Sequence, residues 1–247
     1  MFPAIQIGPI SLPTSAVLFL TAGYVGLSLS EKRTVLFGIK SNQLYDLVLA
    51  AFIGFVTGGR LGYAGLHWNT IAANPMDLLS FDKNIFDLVS GLFSAILVAL
   101  VFGRRQGLTF WPTLDVLTPF FATMMLALAG SHLANATAFG KETSLPWGIE
   151  MRGAVRHPSQ IYEIAAAMFI LGAIALRKPP VPAGTQFLTF LAWTSGARLF
   201  LEAFRGDSLL LFGGIRLGQV LAWMVFALAL LGLTKLTADG KKPTETG

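Results

Sequence analysis

The sequence predicts an all-α polytopic membrane protein of about seven transmembrane helices. Hydrophobic residues make up 54% of its 247 residues and charged residues only 13%, far from the averages of soluble domains. Stretches of about 20 apolar residues, which suffice to cross the hydrocarbon core as a helix, recur along the chain between short polar segments. None of these polar segments is long enough for a second soluble domain.

The apolar stretches predict one transmembrane domain over residues 1–234, followed by a polar cytoplasmic tail over residues 235–247. Helices are expected near residues 10–29, 44–68, 85–102, 114–133, 159–176, 184–200 and 217–234. The first charge is Glu31, so the first apolar run is expected to be a helix rather than a cleaved signal peptide. Asp46 and Asp87 lie near predicted helix starts, where a carboxylate complements the helix dipole, and are interpreted as structural.

The distribution of Lys and Arg predicts the orientation of the helices. These residues are more frequent in the second, fourth, sixth and last segments outside the helices, so the positive-inside rule places the N-terminus outside and the C-terminus in the cytoplasm. Residues 134–158 then lie on the outer side, where they are expected to form a cap. The net charge of +5 favours anionic lipid head groups, and nucleic acid is not an expected partner.

The composition also limits the chemistry that the chain can perform. It contains no Cys, which excludes disulfides, thiolate metal sites and a protein thiol nucleophile, so any reacting thiol belongs to the substrate. Three His without zinc-type spacing and the lack of a nucleotide-binding glycine loop predict neither a metal nor a cofactor.

Three groups of polar residues lie within or beside predicted spans, where each charge costs about 2.5 to 3.5 kcal/mol and needs a partner or a wet cavity. In the first group, Arg60, Tyr63 and His67 lie on one helix face at i, i+3 and i+7. Glycines between residues 58 and 62 allow a neighbouring helix or a lipid head group to approach closely. The alternative is a packing face of small residues whose Arg extends to the interface.

The second group lies in residues 156–163, where Pro158 suits the first turn of a helix and His157 immediately precedes it. Exposed amides at such a start favour an anion. Gln160 and Glu163 then share one face, with Glu163 about one turn into the membrane. The alternative is a capped helix end with an interfacial His.

The third group is a charged stripe of Arg198, Glu202 and Arg205 at i, i+4 and i+7. Glu202 can neutralise one arginine and leave the other free for a phosphate, which a planar guanidinium binds well. The alternative is a structural ion-pair stripe. We expect Arg60, Arg198 and residues 157–163 to converge on one cavity, because each would be costly if it faced lipid tails alone.

Taken in this order, the three groups resemble the prolipoprotein diacylglyceryl transferase family. The most specific match is the Arg-His-Pro-Ser-Gln segment beginning at Arg156, beside the Gly-Gly-Arg segment at residues 58–63 and the segment at residues 198–205. Weaker matches cover residues 102–105, 139–148 and 217–219. Together these segments extend over most of the chain with consistent spacing.

The resemblance implies a protein of the bacterial cytoplasmic (inner) membrane with seven spans and an external N-terminus. It implies transfer of the diacylglyceryl group of phosphatidylglycerol to the lipobox cysteine thiol of a lipoprotein precursor, with glycerol 1-phosphate leaving. This chemistry needs a base for the thiol and cations for the phosphate. The candidate substrate-binding residues are Arg60, Tyr63, Gly140, Gln160, Glu163, Arg198, Glu202 and Arg205.

Departures from the family pattern fall at reactive positions. The family's His-Gly-Gly segment aligns with residues 89–91, so Val89 replaces the expected base. An expected arginine aligns with Ala129 and an expected asparagine with His132, and residues 13–16 replace a tyrosine motif. His132 and His157 are therefore the candidate catalytic bases.

Two further hypotheses remain open at this stage. In one, a catalytically lapsed relative binds lipid as a scaffold or as a subunit of a membrane complex, since retained binding does not imply retained chemistry. In the other, the paired charges line the path of a transporter or channel.

Overall fold

A computed structural model describes residues 2–8, 10–80, 85–177 and 182–239, and the described chain is mostly helical. Each predicted span corresponds to a long helix. These are α1 (Thr14–Thr34), α2 (Ser41–Leu66), α4 (Leu88–Arg105), α5 (Phe110–Ala134), α6 (Ser159–Leu176), α7 (Thr185–Leu201) and α8 (Leu217–Asp239), with the short α3 (Trp68–Ala73) after α2. Their bounds lie within about five residues of the predictions, since the apolar periodicity that locates a helix does not fix its ends.

Five of these helices are long and apolar enough to cross a membrane among the described residues. They are Ser41–Leu66, Leu88–Arg105, Phe110–Ala134, Ser159–Leu176 and Leu217–Ala238. The helix α1 is less apolar because it ends in a charged run that includes Lys32 and Arg33, and α7 is shorter, at 17 residues. A full count of seven spans therefore stays a prediction.

The prediction that the first helix begins near residue 10 is wrong. Strands β1 (Ala4–Ile7) and β2 (Ile10–Pro13) pair as an antiparallel hairpin, and α1 begins only at Thr14. Pro13 explains the boundary, because its ring disfavours a helical conformation at the preceding residue. The mostly helical class is confirmed, and β3 (Ile149–Met151) and β4 (Ala154–Arg156) add a second short hairpin between the helices.

The helices divide into two compact units, residues 34–113 and residues 1–33 with 114–247. In the first unit, α2 and α4 pack antiparallel through small residues. Gly54 faces Val98, Gly58 faces Ser94, and Gly62 faces Ser90. The spacing of four residues on both helices aligns the small residues in one stripe, which permits close backbone approach.

In the second unit, buried polar groups fix the start of α7 against α5 and α1. The Asp115 side chain is fully buried and accepts hydrogen bonds from the backbone N–H groups of Gly184 (2.6 Å) and Phe187 (2.8 Å). It thus satisfies amides that a helix start leaves unpaired. Arg33 of α1 donates to the Gln186 side chain and to the Ile174 carbonyl oxygen. These contacts anchor the start of α7, whose other end carries Arg198.

Candidate functional site

A cluster of charged residues occupies the C-terminal ends of α5 and α7 and the first turns of α6. We call it the Glu163 cluster and define it as His132, Glu163, Arg198, Glu202 and Arg205. Glu163 Oε2 lies 2.8 Å from His132 Nδ1, while its Oε1 accepts hydrogen bonds from Arg198 Nη1 and Arg205 Nη1, both at 3.2 Å. One carboxylate thus joins residues that are far apart in the sequence.

A second carboxylate neutralises the same arginines. Glu202 Oε2 lies 2.9 Å from Arg198 Nη2 and 4.0 Å from Arg205 Nε, and the Arg205 guanidinium also binds Asp207 at 2.9 Å. The Glu202 side chain is 3% exposed, whereas that of Arg198 is 38% exposed. Arg198 is therefore the cation of the cluster that an incoming anion can reach while its carboxylate partners hold it in place.

The turn after α7 is held by a residue that the sequence interpretation did not single out. The Arg216 guanidinium donates to the backbone carbonyl of Glu202, to that of Arg205 (3.1 Å) and to the Ser208 hydroxyl (3.3 Å). It fixes the turn that carries Glu202 and Arg205. Arg216 lies in the polar loop before α8, where a charged residue needs no partner within the membrane, so nothing in the sequence distinguished it.

The segment between α5 and α6 is hydrogen-bonded to the same turn. Lys141 N donates to Phe204 O (2.8 Å), and Gly206 N donates to Phe139 O (2.8 Å). Gly140 lies between these bonds, and a Cβ there would clash with the carbonyl oxygen of His157. Close backbone approach therefore explains a glycine at this position, and its predicted contact with substrate stays a prediction.

Gln160 and His157, predicted from the same segment, have different surroundings. Gln160 is fully buried, and its amide donates to Thr137 O at 2.8 Å. The His157 ring packs against Phe204, with centroids 5.2 Å apart, and its buried Nδ1 has no hydrogen-bond partner within the described parts of the chain. Gln160 thus supports the segment from within, and its predicted role toward substrate remains open, as does that of His157.

Arg60 and Tyr63 belong to the other compact unit. Arg60 donates to the Leu78 carbonyl oxygen, and Tyr63 stacks on His67 with centroids 4.2 Å apart. The nearby glycines contact α4 and the Phe86 ring, so close helix approach is observed for them. The expected convergence of Arg60 with Arg198 on one cavity stays a prediction.

An apolar groove of about 320 Å³ begins one helical turn from the Glu163 cluster. Ala166 on α6 follows Glu163 by three residues, and Ala197 on α7 directly precedes Arg198. Small side chains leave the space open, and the stacked Phe169 and Trp193 rings border it. The groove is lined by Ala166, Phe169, Ile170, Ala192, Trp193, Gly196, Ala197 and Phe226. Apolar space beside a charged cluster suits an amphipathic ligand.

No group of three or more metal-ligating side chains occurs within the described ranges. Ionic groups at the ends of membrane-length helices, next to an apolar groove, define a polytopic membrane protein with a site suited to an anionic amphiphile. The sequence profile of the prolipoprotein diacylglyceryl transferases matches residues 3–235. The chain belongs to this family.

Curated relatives match nearly the whole chain. A phosphatidylglycerol–prolipoprotein diacylglyceryl transferase of Nostoc is 28% identical over 94% of this chain and 88% of the relative. The enzyme of that name from Bacillus cereus ATCC 14579 is 29% identical over 89% and 86%, and the one from Acaryochloris marina is 28% identical over 94% and 89%. The family expected from the three segments is confirmed.

Proposed function

We propose that this chain is a phosphatidylglycerol–prolipoprotein diacylglyceryl transferase of a bacterial cytoplasmic membrane. The observation that carries the proposal is the half-exposed Arg198, which two carboxylates hold and which follows Ala197, a residue of the groove lining. A phospholipid needs both features, a cation for its phosphate and apolar space for an acyl chain. The names of relatives that cover most of the chain support the same reaction.

In the proposed reaction, the sulfur of the lipobox cysteine attacks the carbon of the diacylglyceryl group that bears the phosphate ester. The new S–C bond forms as the C–O bond breaks, and the bonding electrons leave with the oxygen of glycerol 1-phosphate. Arg198 stabilises the negative charge that grows on the phosphate. Arg60, Tyr63, Gly140, Gln160, Glu163, Glu202 and Arg205 are proposed to bind or position the two substrates.

The proposed topology has seven spans, an external N-terminus and a cytoplasmic C-terminus. Residues 134–158 then form a cap on the outer side, above the Glu163 cluster. The excess of Lys and Arg in alternate segments supports this orientation. Both substrates would reach the site from within the membrane.

The proposal is tested with the purified full-length chain, phosphatidylglycerol and a synthetic lipobox peptide, by measuring the release of glycerol phosphate. We expect turnover by the wild type and a loss of about 10² to 10³ in rate for Arg198→Ala, the range for losing a charge-stabilising donor. Arg177→Ala is the matched control, because the exposed Arg177 lies at the other end of α6 and donates to Thr189. Its rate should match that of the wild type.

Co-purification of phosphatidylglycerol without turnover would favour the catalytically lapsed scaffold instead. Retention of the lipid would then fall in Arg198→Ala and persist in Arg177→Ala. Val89 at the expected base position motivates this outcome, because an exposed aliphatic side chain cannot accept a proton.

A further inference from the structure

We propose that His132, oriented by Glu163, is the general base that removes the proton from the acceptor thiol. This assignment rests on the proposed transferase function. The resemblance aligns the family's expected histidine with Val89, whose aliphatic side chain cannot accept a proton, so a base is sought among this chain's own histidines. The Glu163 cluster contains an imidazole bound to a carboxylate, the arrangement that orients a histidine for proton transfer.

The contacts of Glu163 determine the tautomer of the imidazole. Two guanidinium groups donate to Oε1 of Glu163, and a carboxylate paired in this way with cations can only accept hydrogen bonds. His132 Nδ1, at 2.8 Å from Oε2, must therefore carry a proton. In the neutral ring this leaves the lone pair on Nε2, which has no hydrogen-bond partner among the residues that the structure describes. The His132 side chain is 22% exposed.

The same carboxylate links the base to the phosphate-binding arginine. His132 contacts Oε2 and Arg198 contacts Oε1, so the imidazole and the guanidinium flank one carboxylate. In the step we propose, Nε2 takes the thiol proton while sulfur bonds to the glycerol carbon. The C–O bond breaks toward the phosphate at Arg198, and the imidazolium then releases its proton to water. Glu163 is a positioning residue that also stabilises the imidazolium.

His157 lacks this arrangement. Its Nδ1 is buried without a hydrogen-bond partner in the described residues, and Phe204 and Tyr162 surround the ring. No carboxylate among the described residues orients this ring for proton transfer. The structure thus separates two histidines that the sequence left equivalent.

The discriminating variant is His132→Asn, the residue that the resemblance to the family leads us to expect at this position. His132→Asn keeps an N–H donor for Glu163 and removes the group that accepts a proton. A structural His132 would tolerate this change, whereas a catalytic one would not. The control is again Arg177→Ala, because the exposed Arg177 lies at the other end of α6 from Glu163 and donates to Thr189.

The experiment measures glycerol phosphate release from phosphatidylglycerol and a lipobox peptide across a pH series, for the wild type and both variants. The charged groups around the His132 ring are Glu163 from α6, Arg198 from α7 and Arg205 beyond it, and they are the same in wild type and variant. We expect His132→Asn to lower kcat by about 10² to 10⁴, the range for one general base. Its KM for phosphatidylglycerol should stay within twofold.

The pH profile separates a base from a structural hydrogen-bond partner. The wild-type rate should fall at acidic pH, because a protonated imidazole cannot accept the thiol proton. In His132→Asn the remaining rate should instead follow ionisation of the peptide thiol, at about pH 8.5. A thermal unfolding midpoint like that of the wild type would show that the variant folds.

Three results would overturn the assignment. A His132→Asn variant with wild-type kcat and pH profile would reduce His132 to a hydrogen-bond partner, while the transferase function would stand. A loss of kcat in His157→Asn alone would move the base to His157. Absence of turnover in the wild type would remove the transferase function and this assignment together.

Discussion

Among single residues of the site, Glu163 is a nearly buried carboxylate on which several partners converge. Its side chain is 11% exposed and satisfies three positively charged or polarised partners. A buried carboxylate of this kind stabilises the fold only while its cationic partners remain. The buried arginines depend on the carboxylate in the same way. The sequence indicated Glu163, Arg198 and Arg205 as polar groups near the membrane. It could not show that they bind one another, because contacts between distant helices leave no periodic signal.

Replacing this carboxylate should destabilise the protein. Glu163→Gln leaves Arg198 and Arg205 with one carboxylate fewer in a mostly buried cluster, so we expect a loss of about 3 kcal/mol or more in unfolding free energy. Glu142→Gln is the matched control, because Glu142 is 70% exposed and pairs with Arg156 at 3.1 Å. An exposed pair of this kind contributes about 0 to 1 kcal/mol. Thermal unfolding in detergent micelles measures both, and equal losses would contradict the buried-cluster interpretation.

At the scale of elements, the helices follow from apolar length, while their contacts follow from small residues and caps. The sequence predicted all seven long helices, because about 20 apolar residues have few other conformations available in a membrane. It missed the hairpins β1–β2 and β3–β4, since strands of three or four residues are too short for a clear alternation. The second hairpin turns at Arg152 and Gly153, both with positive φ, and only the glycine is typical of such a turn.

The stripe between α2 and α4 predicts a sharp contrast between two glycines on one helix. A Cβ on Gly62 would overlap the side chain of Ser90, whereas one on Gly65 would meet nothing within 4 Å. We expect Gly62→Ala to cost about 1 to 3 kcal/mol through overpacking. Gly65→Ala should be neutral or should stabilise the helix by about 0.5 to 1 kcal/mol. Unfolding midpoints of both variants test this, and an equal response would exclude close packing along the stripe.

The start of α4 should respond to acid through Asp87. Hydrogen bonds from the Ser90 hydroxyl and then from its backbone N–H, the latter at 2.7 Å, lower the pKa of the Asp87 carboxyl. A lowered folded-state pKa means that its stabilisation is present above the unfolded value, about 3.9, and is lost as the pH falls through the folded value. Asp87→Asn keeps a good N-cap at neutral pH.

The measurement is the thermal unfolding midpoint at several pH values below and above this range. Wild type and Asp87→Asn should agree near pH 7, and the wild type alone should lose the contribution of the carboxylate on acidification. The opposite sign, with greater wild-type stability in acid, would refute the cap.

At the scale of the whole molecule, the absence of cysteine makes the topology directly testable. Lys141 lies in the segment between α5 and α6, and Lys235 lies near the C-terminal end of α8, both exposed. In the proposed orientation, Lys141→Cys should react with a membrane-impermeant maleimide added to intact cells. Lys235→Cys should react only after permeabilisation. Labelling of both positions, or of Lys235→Cys alone, in intact cells would reject an external cap and a cytoplasmic C-terminus.

The main-chain bonds between residues 139–141 and 204–206 also constrain how molecules reach the site. Two of these bonds, from Lys141 N to Phe204 O and from Gly206 N to Phe139 O, join residues 139–141 to the turn after α7. A third, from His157 N to Lys141 O (2.9 Å), joins them to the start of α6. Moving residues 139–141 away from the turn would break several backbone hydrogen bonds at once, and each is costly to leave unmade. Substrates that diffuse laterally into the site between the helices leave these hydrogen bonds intact. A lipid and a lipid-embedded signal segment already travel in that plane, and only the water-soluble glycerol phosphate must find an aqueous exit.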